Sequence, residues 1–114
     1  MQRDILYENE LVYAIYDAYP VSKGHALIIP KRHVETYFDM NGDELSATHQ
    51  ALVTLKERID ALYGPDGYNI GVNAGEAAGQ TIFHLHIHLI PRYKGDVQKP
   101  RGGVRGVIPS RRNY

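Results

Sequence analysis

From His84 to Leu89 the chain alternates histidine with a large aliphatic, and Phe83 and Ile90-Pro91 flank the run. A period of two is that of a β-strand, so His84, His86 and His88 are predicted to project from one face and Leu85, Ile87 and Leu89 from the other. Tyr68, Ile70 and Val72 alternate in the same way, which predicts a strand over residues 67–73 paired antiparallel with the histidine strand. Upstream, Ile5-Leu6-Tyr7 and Leu11 to Tyr16 flank Glu8-Asn9-Glu10 and read as an N-terminal hairpin, with Asp17 ending its second strand. His25 through Ile29 reads as a short buried strand closed by Pro30-Lys31-Arg32-His33. A short helix follows over Val34 to Phe38, with His33 placed to cap or orient it.

Between Asp43 and Tyr63 the period changes. Leu45, Leu52, Leu55, Ile59 and Leu62 recur at steps of seven, three, four and three, the pattern of an amphipathic helix face. Asn41 or Asp43 can cap its start, Gly64-Pro65 stops it, and its apolar face is expected to cover the aliphatic side of the sheet. The element order predicts an α+β fold, an antiparallel sheet of about five strands with one long and one short helix. One domain is expected over 1–114, a core over 1–91 followed by a tail over 92–114.

Composition changes this picture little, and charge changes it more. With 43% hydrophobic and 23% charged residues the chain is ordinary for a soluble globular protein. No apolar run approaches the ~20 residues of a membrane span, and Met1-Gln2-Arg3-Asp4 leads into no signal-peptide core, so a cytoplasmic protein with no membrane partner is expected. The absence of cysteine excludes disulfides and thiolate zinc sites. The formal net charge of zero conceals an asymmetry: residues 92–114 hold seven Lys or Arg against Asp96 alone, while 1–91 hold six basic and twelve acidic residues. A basic tail beside the histidine strand suits a polyanionic substrate, and the acidic body argues against long nucleic acid.

Three imidazoles on one face need a reason. An unpartnered buried polar group costs about 1–3 kcal/mol, and valine or threonine would serve a plain strand better. One candidate is metal binding. The outer rings lie about 13 Å apart along an extended strand, too far to share one zinc at ~2.0–2.1 Å, although two could converge with His25 or His33. The other candidate is acid, base and nucleophile chemistry on an anion, since adjacent imidazoles can hold different protonation states near neutrality.

His84-Leu85-His86-Ile87-His88-Leu89-Ile90 resembles the His-φ-His-φ-His-φ-φ signature of the histidine triad family of nucleotide hydrolases and transferases. Ala78-Gly79-Gln80-Thr81, Pro91-Arg92 and Gly24-His25-Ala26-Leu27-Ile28-Ile29-Pro30 resemble the same family, in the same order along nearly the whole chain. The resemblance is to the branch of diadenosine tetraphosphate hydrolases. Many such relatives carry a Cys-x-x-Cys zinc pair near their start; this chain does not.

The resemblance implies a nucleotide substrate attacked at its α-phosphate, a nucleotidyl intermediate on His86, and supporting roles for His84, His88 and His25. His86 also has a ring on either side of it along the strand. Asp17 is expected to hold ribose, Ile15 and Leu6 to wall the base, and Asn73, Gly79, Gln80 and Thr81 to hold phosphate oxygens. Glycines in the loop from Asn73 to Thr81 let amide hydrogens face an anion. No cofactor or resident metal is expected, magnesium entering only with a polyphosphate. A homodimer with the basic tail near a partner's site is implied as well. The alternatives are an adenosine 5'-monophosphoramidase, a nucleotide-binding module with negligible turnover, and a histidine-zinc protein. Gln80-Thr81, Arg92 and the basic tail favour the polyphosphate substrate.

Overall fold

The computed structural model describes residues 4–114; Met1, Gln2 and Arg3, on which part of the leader argument rests, lie outside the described residues. Five strands form one antiparallel sheet: β1 (Tyr7–Glu8), β2 (Val12–Tyr16), β3 (Ala26–Pro30), β4 (Gly67–Gly71) and β5 (Ile87–Arg92). Their order across the sheet is β1-β2-β3-β5-β4, so the strand carrying His88 lies between β3 and the edge strand β4. The helix α1 (Gly42–Tyr63) packs on one face.

That face is the aliphatic one. Val12, Ala14, Ala26, Ile28, Ile87 and Leu89 point into a core shared with Ala51, Leu55 and Ile59 of the helix. Each large aliphatic among them stabilises by roughly 1.5–3 kcal/mol when taken from water. The opposite face carries Tyr13, Ile15, Leu27, Ile29 and His88, as the pairing of Ile15 with Leu27 and of Leu27 with His88 requires. α1 begins in a capping box: the Asn41 side chain accepts from the Glu44 amide at 2.9 Å, and Glu44 accepts from the Asn41 amide at 3.0 Å. Gly64 ends it in the left-handed region at φ 59°.

Four expectations are corrected here. The strand at the histidine row starts at Ile87, because β3 pairs with it only through Ala26, Leu27 and Ile28 and β4 stops at Gly71, opposite His88. Leu85 pairs instead with the Val34 carbonyl, at 2.8 Å, yet the alternation of burial persists through Leu85, Ile87 and Leu89. The short helix is a single turn over Tyr37–Asp39 capped by Thr36, and Val34 enters the core instead. His33 caps nothing there; its ring stands edge-on to His84 at 5.0 Å. On α1 the buried line runs through Glu44, Ala47, Thr48, Ala51, Leu55 and Ile59, leaving Leu45 and Leu62 exposed. Glu44 is admitted to that line because Arg32 meets it with two bonds, of 2.7 and 3.0 Å.

The tail is ordered. Helical turns over Gly103–Val107 and Pro109–Arg111 fold back towards β4. Among the described residues no helix is long and apolar enough to cross a membrane.

Candidate active site

The histidines are positioned from two directions. β5 and the extended segment before it carry His84, His86 and His88, while His25 sits immediately before β3, whose Leu27 pairs with His88. His25 is 3% exposed, and its ring reaches His88 with Nε2 and Nδ1 separated by 2.9 Å.

The protons on this pair can be placed. The Val21 amide donates to His25 Nδ1 at 3.1 Å, so a neutral His25 carries its hydrogen on Nε2. That hydrogen is donated to His88 Nδ1, which in turn leaves a neutral His88 with its hydrogen on Nε2. Burial pushes both rings below the ordinary imidazole value; His25 and His86 add to the effect on His88, and Asp17 opposes it at both. Asp17 Oδ2 stands 3.5 Å from His25 Nε2, while its Oδ1 accepts the Tyr19 amide at 2.9 Å.

The other two rings are held by backbone carbonyls, which can only accept. His84 Nε2 donates to the Pro30 carbonyl at 2.8 Å. His86 Nδ1 donates to the His84 carbonyl at 3.3 Å, so a neutral His86 keeps the lone pair of Nε2 for an electrophile. His86 and His88 stand edge to face at 5.1 Å.

A cleft of about 550 Å3 opens beside this pair, lined by Tyr13, Ile15, Asp17, Leu27, Ile29, His84 and His86. A second cavity, of about 560 Å3, lies at the other pair and is lined by His25, His88, Asn73 and residues of the tail. The row therefore separates two spaces, one with an apolar floor and an acidic residue, the other bordered by Gly103, Val104, Gly106 and Val107 of the tail.

Leu6 is not part of the cleft; it packs against the core. Gln80 is 4% exposed and its amide is spent within the loop: Oε1 accepts from the Gly75 amide at 2.8 Å, and Nε2 donates to the carbonyls of Glu35 and Ile82. It therefore shapes the loop and presents no amide to a ligand. Gly79 holds a left-handed turn at φ 96°, with Asn73 and Thr81 exposed on the same loop. Arg92 is bound to Asp96 by two bonds, of 2.8 and 2.9 Å, and to Asn69, so it is not a free cation for phosphate. Sequence reasoning missed Val21, whose part is played by its amide alone and leaves no trace in residue type. It also missed Tyr13, Leu27 and Ile29, which the strand pairing puts next to Ile15.

Asp17, His25 and His88 each offer a ligand atom within 4.8 Å of the others, the spacing of a metal site. A zinc on His25 Nε2 would need the ring hydrogen on Nδ1, the atom that already accepts from Val21. The tautomer chosen by the backbone puts a hydrogen where the ion would sit, so this donor set does not fit zinc.

A family model described as HIT domain matches residues 1–95. The chain is 45% identical over 92 residues to an uncharacterized HIT-like protein of Methanocaldococcus jannaschii, covering 81% of this chain and 70% of that one. It is 42% identical over 91 residues to the adenylylsulfatase HINT3 of Arabidopsis thaliana, covering 80% and 46%. To an AP-4-A phosphorylase of Mycobacterium tuberculosis it is 34% identical over 96 residues, covering 81% and 48%. The chain thus spans from about half to 70% of the length of these relatives. The crystal structure of a HIT family protein from Bacillus anthracis superposes with a TM-score of 0.79 at 40% identity, covering 84% of this chain and 68% of that one.

Proposed function

The chain belongs to the HIT family, and on that premise we propose that it is a hydrolase of dinucleoside polyphosphates of the diadenosine tetraphosphate kind, acting through a nucleotidyl-histidine intermediate. The observation that carries this reading is the His86 ring, anchored at Nδ1 by the His84 carbonyl and left with a lone pair at Nε2 beside the cleft. In the first step Nε2 forms a bond to the α-phosphorus while the bond from phosphorus to the leaving oligophosphate oxygen breaks. His86 keeps its Nδ1 hydrogen and becomes the cationic phosphoimidazole. The oligophosphate departs as an anion, its oxygen hydrogen-bonded by the Nε2 hydrogen of His88. In the second step water bonds to phosphorus, the phosphorus–nitrogen bond breaks, and the surplus proton passes to solvent.

The lowered basicity of His25 and His88 favours this substrate over a phosphoramidate. A leaving amine requires a full proton, which two neutral imidazoles supply poorly, whereas an oligophosphate leaves without one. In this reading Asp17 holds ribose, Ile15 with Leu27 and Ile29 packs the base, and the loop bearing Asn73, Gly79 and Thr81 faces the phosphates. The relative named AP-4-A phosphorylase supports the polyphosphate class and raises inorganic phosphate as a second possible acceptor. We include a homodimer in a cytoplasmic setting: β4 closes the sheet, and Phe38, Leu45 and Ile70 are exposed beside it. Sedimentation of the purified chain checks the dimer.

The mechanism is tested by quenching turnover of labelled diadenosine tetraphosphate in denaturant without acid. Wild-type protein should retain labelled nucleotide, and His86→Gly should retain none and turn over no substrate. Unchanged turnover by that variant removes the covalent mechanism.

A further inference from the structure

The loop between β2 and β3, residues 17–25, carries the Val21 amide that donates to His25 Nδ1 at 3.1 Å. Nothing in Val21 itself keeps that amide in place. Its side chain is 72% exposed, and Ala18, Tyr19, Pro20 and Lys23 around it are exposed as well. A loop with so few buried contacts depends on its hydrogen bonds to stay where it is. Two of these close it on itself, from the Asp17 amide to the His25 carbonyl at 3.0 Å and from the His25 amide to the Ser22 carbonyl at 3.2 Å.

Two others tie it to the end of the strand that carries His88. Carbonyls alternate in direction along a strand. That of Arg92 turns to the β4 side and accepts from the Asp66 amide at 2.8 Å, so that of Pro91 turns to the β3 side. β3 has already ended there, since its last pair with β5 joins Ala26 to Leu89. The Ser22 hydroxyl stands in for a strand neighbour and donates to the Pro91 carbonyl at 2.7 Å. One residue past β5, the Tyr93 hydroxyl donates to the Lys23 carbonyl at 2.7 Å. Tyr93 is braced in turn, its amide donating to the Asp96 carboxylate that Arg92 grips. Beside both bonds Gly24, at φ 87°, lies against Tyr63 of α1, where a Cβ would come within 3.0 Å of the ring.

We propose that Ser22 and Tyr93 are positioning residues for the His25 and His88 pair: by pinning Ser22 and Lys23 to the end of β5 they hold the Val21 amide on His25 Nδ1, and so keep the His25 ring hydrogen aimed at His88. Without that amide, Nδ1 can carry a hydrogen of its own and the pair can reverse, His88 Nδ1 donating to His25 Nε2. His88 then lacks the Nε2 hydrogen that the departing oligophosphate receives in the hydrolase reading, on which the catalytic part of this inference rests. No other group facing the pair replaces the amide. Asp17 stands at His25 Nε2, 3.5 Å away, and His86 meets the far ring, edge to face with His88 at 5.1 Å.

The test reads the hydrogens directly. In wild-type protein at neutral pH, nitrogen NMR of the rings should show His25 Nδ1 as a hydrogen-bonded acceptor, and the Val21 amide should exchange slowly with deuterium although its residue is exposed. Ser22→Ala and Tyr93→Phe should each move the Nδ1 resonance and speed Val21 exchange by about tenfold or more. Ser22→Thr, which keeps the hydroxyl, should restore both. On diadenosine tetraphosphate, kcat should fall about tenfold in Ser22→Ala and Tyr93→Phe with KM within about twofold, because neither side chain lines the cleft at His86. Tyr93→Phe removes one oxygen from an exposed bond and carries the test if Ser22→Ala does not fold. Variants that lose urea stability yet keep the wild-type Nδ1 resonance and Val21 exchange would overturn the proposal. Unchanged kcat in variants whose ring spectra do change would overturn it too. If the wild-type chain turns over no dinucleoside polyphosphate, the hydrolase reading fails separately, and the resonance and the exchange rate alone decide whether the two side chains set the pair.

Discussion

The two ends of the histidine row are built differently. His25 and His88 are joined ring to ring at 2.9 Å, and the Val21 amide sets which nitrogen carries each hydrogen. His84 and His86 are each held by one bond to a backbone carbonyl, with the remaining nitrogen uncommitted. An interlocked pair is held by burial below the ordinary imidazole value and, when neutral, offers a fixed donor; a singly tethered ring offers a lone pair. One residue type thus serves two purposes, and the partner of each ring decides which.

The largest test of this contrast is His86→Ala. It should lower kcat by at least about 10^3-fold, since His84, the other singly tethered ring, spends Nε2 on the Pro30 carbonyl and does not line up the same nitrogen, while the circular dichroism melt stays near that of the wild type. His25→Gln comes next. Losing the ring that orders His88 should cost about 10^2-fold in kcat and shift the acid limb of the pH–rate profile, a shift that a merely structural lesion would not produce.

Gln80→Ala tests whether that side chain binds substrate or braces its loop. Three backbone groups lose their partner, so a loss of about 1–3 kcal/mol is expected in urea titrations, larger than any change in KM. The smallest effect concerns pH. The unfolded chain protonates its imidazoles near pH ~6.5, whereas burial holds His25 and His88 lower in the folded state. The unfolded state then binds more protons, so this stability is fully present above about pH 6.5 and is lost as pH falls through the folded values. The urea midpoint should be lower at about pH 5.5 than at about pH 7.5, and the difference should shrink in His88→Gln.

Much of the site was legible before the fold. Alternation is a local property, so the separation of Leu85, Ile87 and Leu89 from the histidines survives even where the regular strand does not. The N-terminal hairpin, the sheet and the extent of the long helix follow from equally local periods. The buried face of that helix did not, because Glu44 earns its place through Arg32, twelve residues earlier. Gln80 reads as a substrate contact until the carbonyls of Glu35 and Ile82 are seen to occupy its amide.

The sequence by itself determined which face of the row is dry, because side-chain direction along an extended chain depends only on parity. Only the tertiary structure decided what each imidazole does. A ring nitrogen donates or accepts according to the atom opposite it, and for His88 that atom belongs to a residue 63 positions away, brought there by strand pairing.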